Sequence, residues 1–169
     1  GLNFADVTVV KFGASSTTSC DGQGTAGTDL TIVSDNQLTV KVPSGASSGR
    51  ICVKNASGST GTSSRFYVAP VITSFTPTTA GEFADITITG TNLDNNTAVK
   101  FYDGSDWTLD ADALANVTAT SVTATIPLGA ITGTIKLTTS GGTTYSSQTL
   151  TISPPPTISS ISPVTGPIG

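Results

Sequence analysis

The chain repeats itself, and this internal repeat constrains its fold more than any other feature of the sequence. Thr8–Phe12 aligns with Thr97–Phe101 at a spacing of 89 residues, and Leu38–Pro43 aligns with Val122–Pro127 at a spacing of 84. Between and beyond these segments, apolar residues recur at matching positions with the same alternation. Self-similarity at a fixed period indicates a structural unit that is used more than once. We therefore expect copies of one unit, with about five extra loop residues in the first.

A third, partial copy closes the chain, because Pro156–Pro163 resembles Pro70–Pro77. We divide the chain into residues 1–69, a copy that lacks its first strands, residues 70–153, a complete copy, and residues 154–169, the opening strand of a further copy. Proline at each junction fixes φ and withholds a hydrogen-bond donor, which ends a strand and stiffens the joint. The expected arrangement is a semi-rigid rod of tandem units.

The composition favours β-strands over helices. The 169 residues include 32 threonines and 21 serines, and charged residues make up only 11%. Alternation of apolar and polar residues predicts strands near residues 6–12, 29–33, 37–42, 50–54 and 64–68 of the first copy. In the complete copy it predicts strands near 71–75, 85–89, 98–102, 116–120, 121–126, 134–138 and 147–152. The inward side chains are expected to be Ile86, Ile88, Val99, Phe101, Val122, Ile126, Ile135, Leu137, Leu150 and Ile152. Seven short strands separated by turns are typical of a β-sandwich.

Several motifs, in a fixed order, resemble those of the IPT/TIG immunoglobulin-like domain family. They are Pro70–Pro77, Ile86–Leu93, Ala98–Phe101 and Ile126–Ala130 followed by Gly133, with partial counterparts in the first copy and the tail. The resemblance implies an all-β fold of tandem immunoglobulin-like β-sandwiches of the E-set type. Such domains occur in cell-surface receptors, bacterial surface proteins, carbohydrate-active enzymes and transcription factors. The closest likeness is to repeats of a microbial stalk, adhesin or extracellular fibre.

Charge and composition exclude several classes of function. The chain has no histidine, so a histidine-based triad or histidine-ligated metal site is impossible, and no other activated nucleophile is apparent. Seven scattered Lys and Arg residues and a net charge of −4 do not provide the basic face that nucleic acid requires. No apolar run approaches the roughly 20 residues of a membrane span. We expect a non-enzymatic extracellular protein that needs no cofactor, binds no nucleic acid and does not insert into a membrane.

Cys20 and Cys52 both lie in the first copy and are the only cysteines. In an extracellular chain they are expected to form one intradomain disulfide, although a redox-active or intermolecular link is the alternative. The repeat places Lys136 at the position equivalent to Cys52. Because lysine faces solvent, Cys52 is expected on the outer side of its strand, outside the core between Ile51 and Val53.

One loop of the complete copy carries the residues most suited to binding a ligand. Four carboxylates surround its tryptophan, which gives the candidate set Asp103, Asp106, Trp107, Asp110 and Asp112. Carboxylates at this density could bind Ca²⁺, although the spacing does not match an EF-hand and surface aspartates are usually only solvated. With Tyr102 and Tyr67, the tryptophan could instead stack on a sugar ring. The structural alternative is that Trp107 caps the edge of the sandwich or packs between repeats.

The ends of the chain predict how units meet. The tail contains a candidate strand-donating segment, Ile158, Ile161, Pro163 and Ile168. We expect either a chain cut from a longer array or a tail that completes the first copy of another chain, so that the partners are adjacent copies or repeats, head-to-tail. The function predicted is a structural or adhesive stalk or fibre at the cell surface. The alternative is a carbohydrate-binding accessory module of a secreted protein, with surface glycans as partners.

Overall fold

The computed structural model describes residues 3–167, which form short β-strands without a helix. These residues therefore include no helix that could span a membrane. Domain 1 (residues 3–69) contains β1 (Val9–Ala14), β2 (Thr25–Ala26), β3 (Thr28–Ser34), β4 (Gln37–Lys41), β5 (Arg50–Asn55) and β6 (Gly58–Gly61). Domain 2 (residues 70–153) contains β7 (Val71–Thr76), β8 (Thr79–Ala80), β9 (Asp85–Thr91), β10 (Ala98–Phe101), β11 (Leu109–Asp110), β12 (Leu114–Ala115), β13 (Ser121–Thr125), β14 (Lys136–Thr139), β15 (Gly142–Tyr145) and β16 (Thr151–Ile152).

Domain 2 is a β-sandwich of two four-stranded antiparallel sheets. One sheet has the strand order β11-β10-β14-β15 and the other has the order β12-β13-β9-β7, while β8 and β16 pair in parallel at the side. The alternation in the strands directs one row of apolar side chains from each sheet into a common core. Nine of the ten side chains predicted to face inward are buried, and Ile152 is half-buried. The prediction of an all-β, immunoglobulin-like sandwich is confirmed.

Domain 1 repeats the strand pairing of domain 2 in register. Lys11 pairs with Cys52 and with Ala26, as Lys100 pairs with Lys136 and with Asp110. Its larger sheet, β2-β1-β5-β6, corresponds to β11-β10-β14-β15, and its pair β3-β4 corresponds to β12-β13. Residues 3–69 contain no counterpart of β9 or β7. One edge of β4 is therefore without the strand that β13 has beside it.

The missing pair of strands leaves the core of domain 1 partly open. Ile51 and Val53 are only half-buried, whereas their counterparts Ile135 and Leu137 are fully buried. Leu38, Phe66 and Phe4 show the same difference from Val122, Leu150 and Leu93. These apolar side chains are in contact with water on the side where domain 2 has β7 and β9.

Some predicted strands are wrong. Residues 116–120 form a turn, because Asn116 has a left-handed φ of 49° and the Thr118 hydroxyl accepts hydrogen bonds from the backbone of Thr120 and Ser121. Residues 64–68 form no strand beyond a single bridge between Phe66 and Gly49. The edge strands β6 and β15 were not predicted, because apolar and polar residues do not alternate in them.

The tail forms no strand between residues 154 and 167, and it is exposed throughout. Ile158 and Ile161 retain 84% and 67% of their accessible surface, and Pro163 is exposed as well. Ile168, the last member of the candidate strand-donating segment, lies outside the described residues. That this segment opens a further repeat stays a prediction.

Candidate functional site

Three aromatic side chains gather on the outer face of the sheet β11-β10-β14-β15, and we call them the aromatic patch (Tyr102, Trp107 and Tyr145). The loop of residues 102–108, the Trp107 loop, leaves the end of β10 and returns as β11. It folds back over the sheet so that Trp107 contacts Tyr145 in β15 and Thr134, which lies two residues before β14. The side chain of Tyr145 points to the same face, because it stands opposite Lys136 in the antiparallel pair of β14 and β15.

The indole of Trp107 is held between the two tyrosines. Its ring centroid lies 4.8 Å from that of Tyr145 and 5.4 Å from that of Tyr102, with the planes inclined by 65° and 49°. Its Nε1–H donates to the Thr134 carbonyl oxygen at 2.9 Å, so the polar end of the half-buried indole is satisfied within the protein. Trp107 thus anchors its loop on the outer face of the sheet, which is neither the edge of the sandwich nor a contact between repeats.

Tyr145 is the member of the patch that faces solvent, with 47% of its surface exposed. The ammonium group of Lys136 lies 5.9 Å from its ring centroid, within the range of a cation–π contact. Lys100, whose side chain is half-buried, pairs with Asp110 at 2.8 Å beside it. The patch therefore offers one accessible aromatic ring beside a hydrogen-bond donor, while the Lys100–Asp110 pair lies farther along the same sheet on β10 and β11.

The carboxylates of the Trp107 loop shape the loop itself. Asp103 accepts hydrogen bonds from the backbone N–H groups of Ser105 and Asp106 and from the hydroxyls of Ser105 and Thr108. These donors, the Asp106 N–H foremost, hold the pKa of Asp103 well below its ordinary value. The Asp106 carboxylate in turn accepts a hydrogen bond from the backbone N–H of Trp107 at 2.8 Å. This bond fixes the backbone at the residue that carries the indole.

The candidate calcium ligands are not brought together. The Asp103 carboxylate accepts hydrogen bonds from its own loop, and Asp110 forms an ion pair with Lys100. Asp112 follows β11 in the chain and lies outside the loop. Within residues 3–167 no three His, Cys, Asp or Glu side chains form a group that could hold a metal ion.

The corresponding loop of domain 1 covers the same sheet face by a different means. Residues 15–24, the Cys20 loop, are longer than the Trp107 loop, and this is where the five extra residues of the repeat lie. The predicted disulfide is confirmed: it joins Cys20 of the loop to Cys52 of β5, and both cysteines are fully buried. They form a cluster with Ala14 that is separate from the apolar core, as the equivalence of Cys52 with Lys136 predicted.

The aromatic partner of Trp107 was predicted incorrectly in one respect. Tyr67 lies in domain 1, where the Arg65 guanidinium is 6.0 Å from its ring, and the second tyrosine at the indole is Tyr145. The sequence did contain a signal for Tyr145. A hairpin turn at Ser140–Gly141 pairs Thr139 with Gly142, and counting along the two strands places residue 145 opposite Lys136.

The fold and the site together define a class, that of tandem immunoglobulin-like β-sandwiches whose outer sheet faces are covered by anchored loops. Residues 70–153 match the model of the IPT/TIG domain. Domain 2 therefore belongs to the IPT/TIG family, as its motifs indicated. No curated protein matches the chain.

Solved structures of proteins from Bacteroides and Prevotella match parts of the chain. A putative phosphatase of Bacteroides thetaiotaomicron is 31% identical over 50% of this chain, with a TM-score of 0.43. A surface glycan-binding protein of Prevotella bryantii is 19% identical over 89% of it, with a TM-score of 0.45. The SGBP-B protein of the Bacteroides ovatus mixed-linkage glucan utilization locus, solved with a mixed-linkage heptasaccharide, is 26% identical over 90%, with a TM-score of 0.38. The chain spans only 18%, 35% and 40% of these three proteins.

Proposed function

We propose that the chain is a non-enzymatic accessory module of a cell-surface protein and that it binds glycan at the aromatic patch. The observation that carries the proposal is the exposed ring of Tyr145, supported from behind by Trp107 on an outer sheet face. Tyrosine and tryptophan combine a large apolar face with a polar tip, and for this reason they are enriched at binding surfaces.

The patch has the groups that a neutral sugar requires. The apolar face of a pyranose ring can pack on the Tyr145 ring, which removes apolar surface from water. The Lys136 ammonium group can donate to sugar hydroxyls, and the Asp110 carboxylate can accept from them. Because the indole and phenol planes are inclined by 65°, the surface suits a single sugar ring or a bent chain better than a flat crystalline polymer.

Affinity electrophoresis in gels that contain soluble polysaccharides tests this function. Mixed-linkage β-glucan is the first probe, since the B. ovatus protein described above was solved with an oligosaccharide of that class. We expect the intact chain to be retarded and Tyr145→Ala to weaken the affinity by about tenfold or more, the size expected for loss of a central aromatic anchor.

Tyr67→Ala is the matched control, because Tyr67 is an exposed tyrosine of domain 1 outside the patch. It should leave the retardation unchanged. Equal retardation of the chain and of Tyr145→Ala would show that the patch is not the site. If the chain binds none of a panel of neutral and acidic polysaccharides, glycan binding is refuted.

A second candidate function is structural, in which the chain spaces or builds an extracellular stalk from tandem sandwiches. The specific observation in its favour is that the strand pairing of domain 1 repeats that of domain 2 residue by residue. A spacer needs copies of a rigid unit and no ligand. Failure of every polysaccharide probe would leave this role as the better account.

A further inference from the structure

The four strands of the sheet β11-β10-β14-β15 each contribute one side chain to a row across its outer face. Tyr145 of β15 stands opposite Lys136 of β14, which in turn stands opposite Lys100 of β10. Lys100 stands opposite Asp110 of β11. Directly opposite residues of antiparallel strands lie side by side on one face, so these four side chains form a single row. The row is half-exposed or exposed along its whole length, and it begins at the aromatic ring to which we assign sugar binding.

The two lysines in the middle of the row are an unfavourable pair for the fold. Like charges directly opposite one another in an antiparallel pair of strands destabilise it. The Asp110 carboxylate compensates Lys100 at a distance of 2.8 Å. Among the described residues, no carboxylate lies within ion-pair distance of the Lys136 ammonium group. Lys136 therefore has a positive charge for which residues 3–167 provide no counter-ion.

The same row in domain 1 shows that the fold does not need a second lysine. There Lys11 stands opposite Cys52, whose side chain belongs to the disulfide and has no accessible surface. The Lys11 ammonium group donates a hydrogen bond to the Cys20 carbonyl oxygen at 3.1 Å, so the Cys20 loop uses that charge. The chain itself thus closes the row of domain 1, whereas the Lys136 ammonium group of domain 2 is left for a ligand.

The Lys136 ammonium group lies within reach of a sugar that packs on Tyr145, because it is 5.9 Å from the centroid of that ring. When one face of a pyranose contacts the tyrosine, the substituents of the sugar project from its rim. The substituent at C5 is a hydroxymethyl group in a neutral hexose and a carboxylate in a hexuronate. Only the carboxylate can form a charge-assisted hydrogen bond with the ammonium group.

We propose that the aromatic patch selects glycans that contain hexuronate residues, with the uronate carboxylate bound by the Lys136 ammonium group. This inference rests on the proposed glycan binding at Tyr145 and deepens it by naming the class of sugar. The chain has a net charge of −4, so an acidic polymer gains nothing from the overall charge of the protein. A preference for it must come from a local contact, and the preference weakens as salt screens that contact.

Oligosaccharides of polygalacturonate and of its fully methyl-esterified form are matched probes. Esterification removes the carboxylate charge and retains the sugar chain. Binding of both to the intact chain is measured by isothermal titration calorimetry, with EDTA present so that Ca²⁺ cannot bridge carboxylates. We expect the acid form to bind about threefold to tenfold more tightly, the size of one charged contact at a half-exposed site, and added salt to narrow the difference.

Lys136→Gln removes the charge and retains a hydrogen-bonding side chain. Because the side chain points out of the sheet, this variant keeps the fold. It should bind the two forms equally, with an unchanged affinity for the ester. Lys41→Gln is the matched control, since it removes the same charge at an exposed position of β4 in domain 1. It should retain the preference for the acid form.

The outcomes separate this inference from the proposed function. Equal affinity of the unaltered chain for the two forms, with both lost in Tyr145→Ala, would overturn the inference and leave glycan binding at the patch intact. A preference for the acid form that survives Lys136→Gln would overturn it as well, because another group would then recognise the charge. If neither these probes nor any neutral polysaccharide binds, both the inference and the proposed glycan binding fail.

Discussion

Gly90 lies where β9 passes closest to β7, and the fit there excludes even a methyl group. A Cβ atom at this position would collide with the carbonyl oxygen of Val71. The obstacle is backbone in a paired strand, which cannot move without separating β7 from β9. The first copy of the repeat has Gly1 at the equivalent position. A larger residue at position 90 would therefore force β7 away from β9.

We predict that Gly90→Ala destabilises domain 2 by about 2 kcal/mol or more, because strand separation exposes part of the core. Thermal or denaturant unfolding of residues 70–153 measures the effect. Gly81→Ala serves as the control, since a Cβ at Gly81 would meet only the Ser153 carbonyl at 3.8 Å. Equal stability of the two variants would contradict the close approach of β7 and β9.

At the scale of elements, the disulfide of domain 1 and Trp107 of domain 2 both hold a loop against the outer face of a sheet. The disulfide anchors the loop between β1 and β2, and Trp107 anchors the loop between β10 and β11, each onto the outer face of its sheet. In domain 1 the link joins residues separated by 32 positions and fixes the Cys20 loop. In domain 2 an indole with a satisfied N–H holds the Trp107 loop.

Removal of the disulfide should act on domain 1 alone. We predict that the double variant Cys20→Ser, Cys52→Ser loosens domain 1, because the link removes about 3–4 kcal/mol of chain entropy from the unfolded segment, the loop-entropy value for a closed loop of this length. Hydrogen exchange followed by mass spectrometry should show faster exchange in β1 and β5. Domain 2 is the internal control, and unchanged exchange in β1 and β5 would count against the prediction.

Elements with strong alternation could be predicted from the sequence, and elements without it could not. The buried strands β9, β10 and β13 alternate apolar and polar residues, so their faces and most core residues were predicted correctly. The edge strands β6 and β15 are rich in Gly, Ser and Thr because one side has no neighbour and little core to cover. Tyr145 was overlooked for this reason, and with it the exposed part of the aromatic patch.

For residues 116–120 the error was the opposite one, because a strand was predicted where the structure has none. Their composition, Asn-Val-Thr-Ala-Thr, fits a strand by propensity, but the Thr118 hydroxyl accepts hydrogen bonds from the backbone N–H groups of Thr120 and Ser121, which makes a turn. Such local bonds compete with sheet pairing and are not visible in a pattern of apolar residues. The roles of Asp103 and Asp106 could not be predicted from the sequence either. Carboxylates that accept hydrogen bonds from their own loop can have the same spacing in the sequence as metal ligands.

At the scale of the whole molecule, one repeat is closed and the other is open. Domain 2 buries Ile86, Ile88, Ile72 and Phe75 between its sheets, whereas domain 1 has no residues in these places within its described part. Apolar burial is the main favourable contribution to folding, so the two domains should differ greatly in stability.

Thermal unfolding of the two separate fragments tests this account most directly. Residues 70–153 should unfold in one sharp transition, since that domain closes its own core. Residues 1–69, with the disulfide oxidised, should show no cooperative transition, because the sheet β3-β4 leaves half of the core exposed. A sharp two-state melt of residues 1–69 would contradict the account, since domain 1 would then need no further strand.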